Sequence, residues 1–152
     1  MELKLNLKPL SPKLGKEIPF PTYATSGSAG MDLRACLDEP VLIPAGGRAK
    51  VPAGFAIALP GPEYVALVFA RSGLATKHGV ALSNGVGVID SDYRGEIIVG
   101  LMNSSGEDYT VEPGERVAQL VVMPVVQAGL TVTEALDDTD RGAGGFGSTG
   151  KA

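Results

Sequence analysis

The chain has 152 residues, a formal net charge of −4, one cysteine and one histidine. With 44% hydrophobic residues it has the apolar content for one ordinary domain with a real core, which excludes a disordered chain. A single cysteine and a single histidine exclude an internal disulfide and the usual Cys/His zinc site within one chain. The acidic balance disfavours a general nucleic-acid binder, and no apolar run approaches the length of a membrane span. We therefore expect a soluble, cytoplasmic protein without nucleic-acid or membrane partners.

Apolar residues that alternate with polar or small ones predict β-strands along most of the chain. Alternating or β-branched apolar runs lie at 3–7, 55–59, 64–70, 97–101 and 117–126. Twenty-one glycines and 11 prolines supply turn signals at the spacing typical of sandwiches and barrels. A helical period is not sustained over ten residues, and we predict one short helix from Ser72 to about Lys77. The pattern predicts an all-β sandwich or barrel.

The segment AGMDLRA (29–35) is the first of four that combine turn glycines with polar side chains. If the segment is extended, Asp32 lies on the face opposite Met31 and Leu33. Taken alone, Asp32 is as well explained by a strand aspartate that faces solvent.

The second segment, ARSGLATKHG (70–79), follows an apolar strand and opens the short helix. Exposed amides at a helix start, next to Arg71 and Ser72, predict an anion site. The alternative is an ordinary serine cap with a solvated arginine.

The third segment, SNGVGVIDSDYRGE (83–96), predicts a β-hairpin whose backbone is exposed by glycine and can bind the edge of a flat heterocycle. Asp90 directly follows Ile89, so we expect it to be partly desolvated, which suits a base. The alternative is an ordinary turn with solvated acids.

In the fourth segment, PGERVAQLVV (113–122), Arg116 and Gln119 interrupt a strand that is otherwise apolar. Buried polar groups need partners, so a ligand or a subunit interface is plausible there.

The apolar pattern stops after Leu136, and we divide the chain into a β domain at 1–136 and a flexible Gly-rich arm at 137–152. The arm ends in RGAGGFGSTGKA, which matches both G-x-G-x-x-G and the start of a phosphate-binding P-loop. Both motifs require a strand before the glycines and a helix after them. The sequence predicts neither this strand nor this helix, so we reject both the dinucleotide-binding and the P-loop interpretations.

Taken together, the segments and their order resemble the trimeric deoxyuridine triphosphatases (dUTP pyrophosphatases), a family with five ordered motifs. The five motifs read AGMDLRA, ARSGLA, NGVGVIDSDYRGE, GERVAQL and RGAGGFGSTG. The resemblance runs from about residue 18 to residue 150.

The resemblance implies a β jelly roll that assembles as a homotrimer, with active sites between subunits and with the C-terminal arm as a lid. It implies hydrolysis of dUTP to dUMP and pyrophosphate, by Mg²⁺-assisted in-line attack of water on the α-phosphate. The biological roles that follow are limiting uracil in DNA and supplying dUMP for thymidylate synthesis.

The resemblance also implies a role for individual residues. Asp90 would position the attacking water, and Asp32 would hold Mg²⁺ through water. Arg116 would either bind phosphate or support the site. Substrate-binding residues would be Arg71, Ser72, Gly73, Asn84, Gly87, Val88, Tyr93, Gln119, Arg141, Phe146, Gly147, Ser148 and Thr149.

Within this set, Tyr93 would pack beneath the deoxyribose and exclude a 2′-hydroxyl, and Phe146 would stack over the uracil. Family members with an asparagine at the position of Asn84 often have proline where this chain has Val86, which leaves the role of Asn84 open. Two alternatives remain: a dCTP deaminase-like enzyme of the same fold, and a non-catalytic trimer that binds nucleotides.

Overall fold

In a computed structural model, which describes residues 3–146, the described part of the protein contains eleven strands and one helix. The elements are β1 (Asn6–Pro9), β2 (Met31–Arg34), β3 (Val41–Ile43), β4 (Arg48–Pro52), β5 (Phe55–Ala58), β6 (Tyr64–Ala70), α1 (Ser72–His78), β7 (Val80–Leu82), β8 (Gly87–Ile89), β9 (Ile98–Asn103), β10 (Tyr109–Val111) and β11 (Arg116–Pro124). The prediction of an all-β protein with one short helix near Ser72 is confirmed.

The strands pair antiparallel in small sheets, as a jelly-roll-like β fold requires. A four-stranded sheet has the order β2-β11-β6-β8, and a three-stranded sheet has the order β4-β9-β7. Two further pairs join β1 to β5 and β10 to β3. The longest strands, β6 and β11, lie side by side in the middle of the four-stranded sheet, where they position both edges of the candidate site.

The core lies between the sheets and follows the predicted alternation. Along β9, Val99 and Leu101 point inward and Ile98 points outward. Among the described residues, Asn103 is the one fully buried polar side chain. Its Nδ2 atom donates hydrogen bonds to the carbonyl oxygens of Ile43, at 3.1 Å, and Glu107, at 2.7 Å, so its burial is compensated.

The hairpin predicted at 83–96 is built differently. The segment 83–96 contains one strand, β8, which pairs with β6. The preceding strand, β7, pairs with β9, so β7 and β8 belong to different sheets. Gly85, with φ of +74°, makes the turn between them. The prediction of a simple hairpin was therefore wrong, because alternation within a strand carries no information about its partner.

Regular structure in the described residues ends at Pro124, twelve residues before the predicted boundary at 136. The segment 125–146 forms neither helix nor strand and exposes Leu130, Val132 and Leu136 almost completely. The division at residue 136 stays a prediction. None of the described helices is long and apolar enough to cross a membrane.

Candidate functional site

The first part of the site lies where β6 ends and α1 begins. Arg71 is the N-cap residue of the helix, in an extended conformation, and its side chain makes no capping hydrogen bond. Ser72 is the first helical residue, so the alternative of an ordinary serine cap is wrong. With the cap position taken by arginine, the side chain of Arg71 is available for contacts across the sheet.

Asp32 lies between two arginines that come from different parts of the chain. Its Oδ1 atom is 3.3 Å from Nε of Arg71, and its Oδ2 atom is 3.3 Å from Nη1 of Arg116. Arg71 also donates from Nη1 to the backbone carbonyl oxygen of Arg116, at 3.1 Å. Asp32 is therefore held by opposite charges on two sides and is not a freely solvated strand aspartate.

Gln119 completes this group from the central strand β11. It is the register partner of Asp32 on one side and of Phe69 on the other. Its Nε2 atom donates to the backbone carbonyl oxygen of Ala70, at 3.0 Å. A Cβ atom at Gly30 would lie 3.0 Å from Oε1 of Gln119, so the missing side chain at that position makes room for the amide.

These residues line one concave surface, which we call the anion cleft. It is lined by Ala24, Ser28, Ala29, Gly30, Asp32, Phe69, Arg71, Ser72, Gly73, Arg116, Gln119 and Val121. Asp32 is the one acidic residue among these lining residues. Two arginines, a hydroxyl, an amide and a helix start are the groups that bind phosphates.

A second concave surface, which we call the base cleft, lies between β8 and β9. It is lined by Val68, Leu82, Asn84, Gly87, Val88, Ile89, Asp90, Tyr93, Glu96, Ile97, Ile98, Val99 and Gly100. The lining combines apolar side chains with polar groups such as Asn84, Asp90 and Tyr93, which suits an uncharged heterocycle that also makes hydrogen bonds.

Inside the base cleft, backbone contacts position Tyr93. Its hydroxyl donates to the carbonyl oxygen of Glu96, at 3.0 Å, and its backbone N–H donates to the carbonyl oxygen of Asp90, at 3.2 Å. Asp90 itself is exposed in the single chain, so the expected partial desolvation is not present there.

Asn84 lines the base cleft, and the neighbouring turn explains how Val86 fits. The backbone N–H of Val86 donates to the carbonyl oxygen of Asn84, at 2.9 Å. A proline at position 86 has no N–H and could not make this contact. The turn in this chain is therefore held differently from one with proline.

The two clefts share no lining residue and lie at opposite edges of the four-stranded sheet. Asp32 is on the edge strand β2, and Asp90 directly follows the other edge strand, β8. Three strand spacings and about four residue steps separate them, which is roughly 15–20 Å. A single chain thus does not bring the two carboxylates together.

The predicted arm residues that the structure describes, Arg141 and Phe146, are not among the lining residues of either cleft. Arg141 donates from Nε to the carbonyl oxygen of Gly144, at 3.0 Å, and Phe146 is fully exposed. Gly147, Ser148 and Thr149 lie outside the described residues.

Sequence reasoning missed a contact network beside the anion cleft. The hydroxyl of Tyr109 donates to Oε1 of Glu115, and the backbone N–H of Glu112 donates to Oε2 of Glu115, at 2.9 Å. Partial burial, together with the hydrogen bond to Glu115 and the charge of Glu115, raises the pKa of Tyr109 to about 12. The Tyr109 ring packs on His78, with the ring centroids 5.1 Å apart.

This network joins the last turn of α1 to the residue that precedes Arg116. The network thus connects α1, whose first residues line the anion cleft, to the strand that carries Arg116, although none of the three side chains lines the cleft. Only the turn signal Pro113-Gly114 beside Glu115 was visible in the sequence, since Tyr109 and His78 lie 31 positions apart.

Comparison with known proteins gives matches over nearly the whole chain. The family model described as dUTPase matches residues 16–150. The deoxyuridine 5'-triphosphate nucleotidohydrolase of Escherichia coli O1:K1 / APEC is 50% identical over 151 residues, which are 99% of each protein. The protein of the same name from Salmonella paratyphi B is 51% identical, with the same coverage.

Solved structures agree with the fold. The Staphylococcus bacteriophage 80alpha dUTPase with dUpNHpp has a TM-score of 0.84 at 26% identity, over 97% of this chain and 99% of that one. A dUTPase variant from phage phi11 of S. aureus has a TM-score of 0.74 at 23% identity, over 87% and 97% of the two chains, which shows the fold alone.

The fold and these matches define a jelly-roll-like β protein of the hydrolase class. Because the family model spans well over half of its length, the chain belongs to the dUTPase family.

Proposed function

We propose that the protein hydrolyses dUTP to dUMP and pyrophosphate. The observation that carries the proposal is the presence, in one chain of this family, of an anion cleft with Arg71, Arg116 and Gln119 and of a base cleft with Asp90 and Tyr93. The two clefts match the two ends of a nucleoside triphosphate, one highly charged and one an uncharged ring. The names of the bacterial relatives agree with this substrate.

In the anion cleft, Arg71, Ser72, Gly73 and Gln119 would bind the phosphates. Arginine forks and the backbone amides at the start of α1 provide donors for phosphate oxygens. Arg116 contacts Asp32, and its backbone carbonyl oxygen accepts a hydrogen bond from Arg71. Arg116 would therefore orient the guanidinium of Arg71 as well as bind phosphate. These positive groups reduce the repulsion that an attacking water meets at a polyanion.

Mg²⁺ fits the chemistry of this cleft. Asp32 offers a hard oxygen ligand among groups that bind phosphate, and its side chain is 24% exposed, so a hydrated ion can reach it. Mg²⁺ keeps several waters and prefers substrate phosphates with one or two carboxylates, which suits a single carboxylate acting through water. When bound, the ion would neutralise charge on the phosphates. The phage phi11 relative coordinates a structural Mg(II) ion.

In the base cleft, Asp90 would position the water that attacks the α-phosphorus. The backbone around Gly87 and Val88, with the Asn84 side chain, would bind the uracil edge. Tyr93 is fixed through its hydroxyl to the carbonyl oxygen of Glu96, which supports its role beneath the deoxyribose.

A homotrimer with shared sites would unite the two clefts. In one chain Asp32 and Asp90 are roughly 15–20 Å apart, too far to act on the same triphosphate group. The anion cleft of one subunit would therefore face the base cleft of another. Closed cyclic symmetry makes such contacts between unlike surfaces of identical subunits possible.

The C-terminal arm would close over the shared site. Arg141 would add positive charge, Phe146 would stack on the uracil, and Gly147, Ser148 and Thr149 would reach the phosphates. Phe146 is an exposed aromatic in a segment without a core, which supports a role in binding. In the cell the reaction would limit uracil in DNA and supply dUMP for thymidylate synthesis.

Product analysis by chromatography tests this proposal. The purified protein and Mg²⁺ are incubated separately with dUTP, dCTP, dTTP and UTP. We expect conversion of dUTP alone, to dUMP and pyrophosphate. Deamination of dCTP would instead identify a deaminase, and tight dUTP binding without turnover would identify a binding protein.

A further inference from the structure

Asp32 forms ion pairs with the two arginines to which the proposed function assigns phosphate binding. Its two oxygens each lie 3.3 Å from a guanidinium nitrogen, one from Arg71 and one from Arg116. Arg71 also donates a hydrogen bond from Nη1 to the backbone carbonyl oxygen of Arg116. The carboxylate therefore sits where a phosphate group would sit, on the same donors.

The contacts of Asp32 are of a kind that can be exchanged. The side chains of Asp32, Arg71 and Arg116 are 24%, 30% and 45% exposed, and both distances are long for charge-assisted contacts. Ion pairs that are open to water contribute little and are readily broken. A bare anion that enters the cleft must displace Asp32 from the arginines and is also repelled by its charge.

We propose that Asp32 is a specificity-determining residue that makes anion binding in this cleft conditional on a divalent cation. This deepens the proposed function and rests on it. When a divalent cation is bound, Asp32 would turn from the arginines towards the cation's water, and Arg71 and Arg116 would become free for phosphate. Cation and triphosphate then raise each other's affinity by the same factor, and metal-free anions are disfavoured.

Calorimetric titration with dUpNHpp, in EDTA and in Mg²⁺, tests the proposal on the full-length protein. The variant Asp32→Asn keeps the shape and one oxygen acceptor but removes the charge. We expect its metal-free affinity to rise roughly three- to tenfold over the unsubstituted protein, and the enhancement by Mg²⁺ to shrink. An equal or lower metal-free affinity overturns the proposal.

Asp38→Asn is the matched control, because it makes the same change in net charge away from the cleft. Asp38 is 90% exposed and lies 2.6 Å from Nζ of Lys13. We expect its metal-free affinity to equal that of the unsubstituted protein. Tightening as large as that of Asp32→Asn would assign the effect to net charge and overturn the proposal. Asp32→Ser is a second variant in case the amide disturbs folding.

The same titration in an Arg116→Gln background distinguishes two roles of Asp32: competition with phosphate for the arginines, and structural support of the cleft. Competition predicts that Asp32→Asn tightens metal-free binding less there, because one contested arginine is gone. A structural role predicts weaker binding in both backgrounds. Absence of dUpNHpp binding to the unsubstituted protein in Mg²⁺ would overturn the proposed function together with this inference. Normal binding without metal-free tightening in Asp32→Asn would overturn this inference alone.

Discussion

The anion cleft and the base cleft present different chemical groups, mainly side chains in the first and backbone in the second. In the anion cleft, charged side chains from β2, β11 and the start of α1 contact one another directly, and an amide side chain of β11 contacts the backbone of β6. In the base cleft, a glycine-rich turn exposes backbone, and Tyr93 is held by backbone partners. Charged groups in the first cleft suit a polyanion, and a fixed backbone edge in the second suits a flat ring. The lining of each cleft matches one end of a nucleoside triphosphate.

The largest expected effect lies in the base cleft. We predict that Asp90→Asn lowers kcat by about 10²- to 10⁴-fold, because the amide cannot act as the base for the attacking water. The measurement is steady-state dUTP turnover, with oligomeric state followed by size-exclusion chromatography. Asp92→Asn, the same change two residues further on, is the control and should stay near normal. Near-normal turnover in Asp90→Asn would remove Asp90 from this role.

Removing the arm should affect both clefts at once. We predict that truncation after Asp140 preserves the proposed trimer and lowers kcat/KM on the order of 10²-fold, because a charge and an aromatic cover are lost. Light scattering gives the assembly state, and initial rates give kcat/KM. An undiminished kcat/KM would show that the arm is not a lid.

Subunit mixing tests whether the two clefts belong to different chains. Asp90→Asn and Arg71→Gln variants are inactivated in different clefts. Refolded together in equal amounts, they should recover about a quarter of the unsubstituted activity, since random assembly pairs two intact clefts at one interface in four. Refolding each variant alone is the control. No recovery in the mixture would place both clefts of each site in one chain.

The smallest expected effect lies behind the anion cleft. We predict that Tyr109→Phe lowers the free energy of unfolding by about 1 kcal/mol near neutral pH, because the hydrogen bond to Glu115 is lost. The pKa of Tyr109 is raised to about 12 from its usual 10.0, so its contribution is full below pH 10 and is lost as the pH rises towards 12. Urea unfolding of both proteins across this range should show the difference narrowing. A constant difference would contradict the assigned contact.

The strand content could be predicted from the sequence because it depends on the local alternation of apolar and polar residues. The apolar run at 64–70 coincides with β6, and the helix begins at Ser72 as predicted. These features follow from short-range alternation and from the residues at a strand end. The family could also be recognised, since its motifs are contiguous stretches of sequence.

The pairing of strands and the ion pairs between distant residues could not be predicted from local patterns. The segment 83–96 suggested a hairpin, but its one strand, β8, pairs with β6 and not with a neighbouring strand of the chain. Asp32, Arg71 and Arg116 were each visible as polar residues, yet nothing in their spacing showed that one carboxylate joins both arginines.

Neighbours along the chain encoded the overall strand content, the family and the residue types available for chemistry. Tertiary structure alone decided that Asp32 joins Arg71 to Arg116 and that the anion and base clefts lie at opposite edges of one sheet. The physical reason is that these contacts join residues as many as 84 positions apart. Their geometry depends on which strands share a sheet and in which register, and a local pattern does not encode either.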